Sequence, residues 1–137
     1  VPEGATIDVT VTEESEGSAY TVAVTGLEAD RDFGAHLHTD PCGADPADSG
    51  PHYQDEADPE ADADTPSANP EYANPENEVW LDFTTDSEGN AAQQAKVDWL
   101  PREGEANSIV LHEEHTAEEE GEAGQAGDRL ACVNVPL

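Results

Sequence analysis

The chain has 137 residues, enough for one domain with a real hydrophobic core. It carries 33 Asp and Glu against 4 Lys and Arg, a formal net charge of −29, and such a surface repels DNA, RNA and anionic membranes. No apolar run is long enough to span a bilayer as a helix. The acids concentrate between short alternating runs of Val, Ile and Leu, which reads as folded strands joined by acidic loops rather than as a disordered polyanion. The charge is read as adaptation to a salty medium, which screens self-repulsion.

Residues 5–12 alternate, with Ile7, Val9 and Val11 on one side and Asp8, Thr10 and Thr12 on the other, the pattern of a half-buried strand. Residues 13–18, with Gly17, form a turn. Residues 20–25 repeat the alternation through Tyr20, Val22 and Val24, so the two runs make a hairpin. After Gly26-Leu27 comes Gly34-Ala35-His36-Leu37-His38. Successive strand side chains point to opposite faces, so His36 and His38 share one face while Phe33, Ala35 and Leu37 take the other. One face then packs into a core and the other presents two imidazoles, a rigid wall for a metal. A lone His-x-His reads better as a solvated surface strand. His52, in Gly50-Pro51-His52-Tyr53, and His112, in Ile109-Val110-Leu111-His112-Glu113, shift the balance.

Residues 40–77 contain no Val, Ile, Leu, Phe or Trp and hold most of the prolines, so a long loop is expected there, with Cys42 and His52 inside it and a purely solvated middle at 55–64. The acid run lacks the glycine and glutamate spacing of an EF-hand, which argues against a calcium loop. Residues 78–85 read as a strand with Val79, Leu81 and Phe83 opposed to Trp80 and Asp82, and 86–90 as a turn. Residues 91–100 pair back with Ala95, Val97 and Trp99 on the core face; 101–106 form a loop and 107–112 a strand. Residues 113–128 form a second acidic loop, and 129–135 close the chain as a strand carrying Cys132. There is no helical period and no internal repeat. About seven short strands with turn signals between them predict an antiparallel sandwich or barrel. The two cysteines leave both a reduced pair and a bridge open at this point.

Four pieces in this order resemble the copper/zinc superoxide dismutase family: Gly34-Ala35-His36-Leu37-His38, Gly50-Pro51-His52-Tyr53, Ile109-Val110-Leu111-His112-Glu113 and Gly127-Asp128-Arg129-Leu130-Ala131-Cys132. The resemblance implies an all-β chain folded as a single antiparallel Greek-key β-sandwich or flattened barrel with long acidic loops. It implies that His36, His38, His52 and His112 are copper ligands, His52 being the one that in the family bridges copper and zinc. Arg129 would sit over the open copper face and attract the superoxide anion; its other reading is a salt bridge to a nearby acid. Arg129 and His52 are thus the expected catalytic residues. Cys42 and Cys132 would form the family's intrasubunit disulfide, tying the long loop to the last strand and placing the protein outside the reducing cytosol: extracellular, periplasmic or on the cell envelope. Such a bridge is worth about 4–5 kcal/mol in the chain-entropy treatment.

The departures from the family are as informative. Between His52 and His112 the chain has no histidine, so the family's zinc site cannot be assembled from its usual ligand types. The chain therefore resembles the copper-only branch, with copper as cofactor and zinc absent. His52 would bind only copper and donate its other ring nitrogen to an acid, Glu78 and Asp82 being the candidates. His115 reads as solvated. The loop at 113–128 is shorter than the family's electrostatic loop and has no lysine or arginine. The family's first strand is expected to be missing or upstream of Val1, and a monomer is favoured over the usual dimer. The expected activity is conversion of superoxide to O2 and hydrogen peroxide. The alternatives are a copper storage or delivery protein, which would need the four histidines but not Arg129, and an inactive sandwich kept for interactions, which would be expected to lose ligands.

Overall fold

The computed structural model describes residues 4–14, 17–44, 46–56, 58–59, 69–101, 104–117, 124–127 and 129–135. It contains β1 (Thr6–Glu13), β2 (Ser18–Thr25), β3 (Asp32–His38), a 3-10 helix (Pro46–Ser49), β4 (Phe83–Thr84), β5 (Ala91–Val97), β6 (Ser108–His112) and β7 (Arg129–Asn134). Two antiparallel sheets form, one in the order β1-β2-β5 and the other β4-β3-β6-β7. Residues 57 and 60–64 of the expected solvated middle, and 118–123 and 128 of the second acidic loop, lie outside the described residues.

The alternation read from the sequence decides the layering. Val22, Val24 and Tyr20 of β2, Ala35 and Leu37 of β3, and Ile109 and Leu111 of β6 meet between the sheets, all at most 2 % exposed. Ile7, Val9 and Val11 of β1 pack against this core half-buried. Trp99 lies beyond the end of β5 yet still packs on the core, its ring 5.6 Å from that of Tyr53. The turn after β4 closes with Asp86 N–H donating to Asn90 O and Gly89 N–H to Asp86 O.

Two local outcomes differ from the sequence expectation. The strand expected at 78–85 is a ladder only at Phe83–Thr84, with an isolated bridge between Trp80 and His36. Val79, Leu81 and Phe83 are buried as the alternation requires. The ladder breaks because the Asp82 carboxylate, not a backbone carbonyl, accepts the Ala35 N–H, at 3.2 Å. The 3-10 helix at Pro46–Ser49 was not foreseen, since four residues carry no periodicity to read.

Register then places the histidines. Gly34 pairs with His112, His36 with Val110 and His38 with Ser108. His36, His38 and His112 therefore share the outer face of the four-stranded sheet. The chain after β3 folds back along the same strand, with His52 bridging His38 and Tyr53 N–H donating to Leu37 O at 2.8 Å. The segment after β6 crosses over Gly34, where a Cβ would lie 2.5 Å from Glu114 O, so only glycine admits that crossing.

Candidate metal centre

The four histidines converge. One ring nitrogen from each of His36, His38, His52 and His112 lies within 4.8 Å of the other three. His36 and His38 are fully buried and His112 is 5 % exposed, because the long loop and the segment after β6 cover the outer face of β3 and β6. The His36 and His52 rings stack at 4.0 Å, and His38 and His112 place Nε2 atoms 3.3 Å apart.

The partners of each ring fix its tautomer. His38 Nδ1 lies 2.8 Å from Gly50 O and His112 Nδ1 3.2 Å from Gly127 O. A carbonyl only accepts, so both Nδ1 atoms carry the proton and both Nε2 atoms are bare. The Thr116 hydroxyl donates to Asp82 Oδ1 at 2.7 Å, so it can only accept from His36 Nε2, 2.6 Å away. His36 Nδ1 is then the bare nitrogen, and it is a buried atom with no hydrogen-bond partner among the described residues. His52 Nδ1 donates to Glu78 Oε1 at 2.8 Å, which leaves its Nε2 bare. An unpaired buried acceptor is costly, and four lone pairs turned toward one another fit a cation. The donor set also suits copper, since imidazole nitrogens accept both of its common oxidation states.

Electrostatics keep three of the four rings neutral. Burial, then the neighbouring imidazoles and Arg129, hold His36 well below the ordinary histidine range. His38 is also held well below that range, first by burial and then by His52, despite its bond to Gly50. Burial lowers His112 to about 4 against its bond to Gly127 O. Protons therefore do not compete for the bare nitrogens of His36, His38 and His112 near neutral pH.

Around the rings lies a set of anchors that the sequence did not reveal in full. Glu78 is 1 % exposed. Its Oε1 accepts from His52 Nδ1 and from Trp80 Nε1, and its Oε2 from Gln54 Nε2, each at 2.8 Å. Asp82, the other acid singled out, lies against His36 rather than His52, reaching it through Thr116 and sitting 4.0 Å from Nε2. Trp80 also sets its ring edge-on to His36 at 6.1 Å. His115 stays outside the cluster, with its side chain 46 % exposed and its Nε2 donating to Phe83 O at 3.1 Å. A register irregularity between Leu111 and His112 brings Arg129 opposite His112 at the start of β7. Cys42 and Cys132 are joined in a disulfide with their Cα atoms 5.8 Å apart, across a sequence separation of 90.

Fold and site together define an antiparallel β-sandwich carrying a four-histidine cluster able to hold a metal ion. The copper/zinc superoxide dismutase (SODC) family matches residues 5–135, and the chain belongs to that family. Among solved structures it is similar to the Cu/Zn superoxide dismutase from Brucella abortus, with a TM-score of 0.54 and 18% identity over 94% of this chain and 86% of that one. That likeness bears on the fold, which is the β-sandwich of that enzyme. No curated protein matches the chain by sequence.

Proposed function

We propose that this chain is a copper-dependent superoxide dismutase of the zinc-less branch, with His36, His38, His52 and His112 as the copper ligands. One observation carries the reading: four imidazole nitrogens converge, three of them on buried rings held neutral, with a guanidinium close enough to depress those three. Copper held there supplies a one-electron couple, so that two superoxide anions and two protons become O2 and hydrogen peroxide. Arg129 gives the incoming anion a fixed positive partner in a chain of net charge −29. Glu78 holds the His52 proton at Nδ1 and so keeps Nε2 turned into the cluster. The same bond supports the zinc-less assignment. The nitrogen that would face zinc in the family is committed to a buried carboxylate, and no histidine follows before His112.

The reading extends to one superoxide-dismutase-like domain that works as a monomer and is exported into a saline medium. The disulfide supports export, and the excess of acids the saline medium. The test is metal content together with dismutase activity, on protein loaded with copper alone and with copper plus zinc. One copper, no zinc and full activity is the expected result. Activity only with zinc overturns the zinc-less assignment, and tight copper binding without turnover turns the chain into a storage or delivery protein.

A further inference from the structure

We propose that Ser49 is a positioning residue for Arg129, an inference that rests on the dismutase reading and names a residue outside the ligand set. Arg129 Nη1 donates to Ser49 Oγ at 2.7 Å. Ser49 is 2 % exposed and is the last residue of the 3-10 helix Pro46–Ser49. Its own backbone is pinned, since its carbonyl accepts from Asp40 N–H at 2.9 Å. The hydroxyl that meets the guanidinium is therefore held by buried main chain rather than by a flexible surface group.

The stretch 49–52 gives this contact its consequence. Ser49 holds Arg129, the Gly50 carbonyl holds His38 Nδ1, and His52 enters the cluster itself. One short segment thus sets the guanidinium and two of the four imidazoles relative to each other. The same loop is fastened to β7 beyond Arg129, by the Cys42–Cys132 disulfide and by Cys42 N–H donating to Asn134 Oδ1 at 2.8 Å. Arg129 lies on a strand whose approach to this loop is fixed at both ends.

A hydroxyl is the suitable partner in this chain. With 33 acidic side chains present, a loosely held guanidinium would collapse onto a carboxylate and lose its field. A carboxylate partner would orient the guanidinium and cancel its charge together. A serine oxygen orients it without itself adding negative charge.

The experiment compares wild type, Ser49→Ala, Arg129→Ala and the double variant of the full chain, loaded with copper. The readouts are superoxide capture rate, azide affinity and the copper EPR spectrum. Ser49→Ala is expected to lower the capture rate and azide affinity about three- to ten-fold, the scale of one ordinary intramolecular hydrogen bond, with the EPR spectrum unchanged. In the Arg129→Ala background the same change is expected to have no further effect. In metal-free protein, 15N NMR of the Arg129 guanidinium is expected to report faster rotation in Ser49→Ala. An equal loss in the Arg129→Ala background, or guanidinium rotation that Ser49→Ala leaves unchanged, overturns the proposal. If copper-loaded wild type shows no turnover, the dismutase reading fails, while azide affinity and guanidinium rotation still decide the role of Ser49.

Discussion

Glu78→Gln isolates the carboxylate that orients His52, because glutamine keeps the size and one acceptor oxygen. In the native chain, Oε1 takes His52 Nδ1 and Trp80 Nε1, and Oε2 takes Gln54 Nε2. With glutamine the retained oxygen can serve His52 and Trp80, but an NH2 then faces the NH2 of Gln54. Gln54 could relieve this by turning its amide over, yet its own Oε1 accepts from Asp58 N–H at 3.0 Å, so the turn loses that bond. Three bonds to a charged acceptor become two to a neutral one plus a donor conflict. At about 1 kcal/mol for each bond weakened or lost, metal-free protein should lose about 2–3 kcal/mol in urea unfolding. Loss of a group that orients a metal-bound histidine should also weaken copper binding about 10–100-fold in competition with a chelator. Wild-type stability and wild-type copper affinity in Glu78→Gln would refute the view that this carboxylate anchors the ring.

Acid should destabilise the metal-free protein before it touches most carboxylates. Unfolded imidazoles take up protons near 6.5, while folded His112 resists until about 4, so stability is lost as pH falls between these values. His112 alone accounts for about 3 kcal/mol at the acid limit, and His36 and His38 add in the same direction; a urea midpoint flat from about pH 7 to pH 4.5 would contradict this. Arg129→Ala should lower superoxide capture roughly ten-fold by pulse radiolysis, with copper affinity unmoved in a chelator titration, and an equal loss of copper would give Arg129 a structural role instead. Replacing Cys42 and Cys132 by serine should cost about 4–5 kcal/mol in thermal or urea unfolding, since the bridge closes a loop across a separation of 90. An unchanged melting temperature would show that the closed loop is already held by other contacts.

The strands were legible because alternation survives in a sheet with one covered face. β1, β2 and β6 begin or end within two residues of where the pattern places them. β5 stops at Val97, short of the expected Leu100, since its pairing with β2 runs out at Ser18. The short β4 was not legible, because a side chain rather than a backbone carbonyl takes the Ala35 N–H, and sequence pattern does not report which acceptor wins. The four histidines that converge were legible as a set from their motifs. Their anchors were only partly so. Glu78 and Asp82 stood out as acids near the site, but which histidine each would serve depends on how the chain from 69 to 82 folds back along β3. Thr116 lies in an aperiodic acidic stretch, and Gln54 and Trp80 reach Glu78 from a loop and a broken strand. Ser49 belongs to a four-residue helix that has no signature.

The anchors fall into two kinds, and the difference has an electrostatic consequence. His38 and His112 are held by backbone carbonyls, which orient a ring without bringing charge. The Gly50 carbonyl is fixed by a left-handed backbone at φ 71°, and a Cβ there would lie 2.6 Å from Asp40 Oδ2, so that anchor depends on glycine itself. His52 and His36 are held instead by acids, Glu78 directly and Asp82 through Thr116. Only those two anchors set acidic groups against the guanidinium of Arg129, while the carbonyls add none. A divalent ion among the four nitrogens would add positive charge locally, although the chain as a whole carries −29. Had acids anchored all four rings, more negative charge would stand against a divalent ion and Arg129. The neutral anchors on His38 and His112 therefore favour attraction of a small anion once a divalent metal is held.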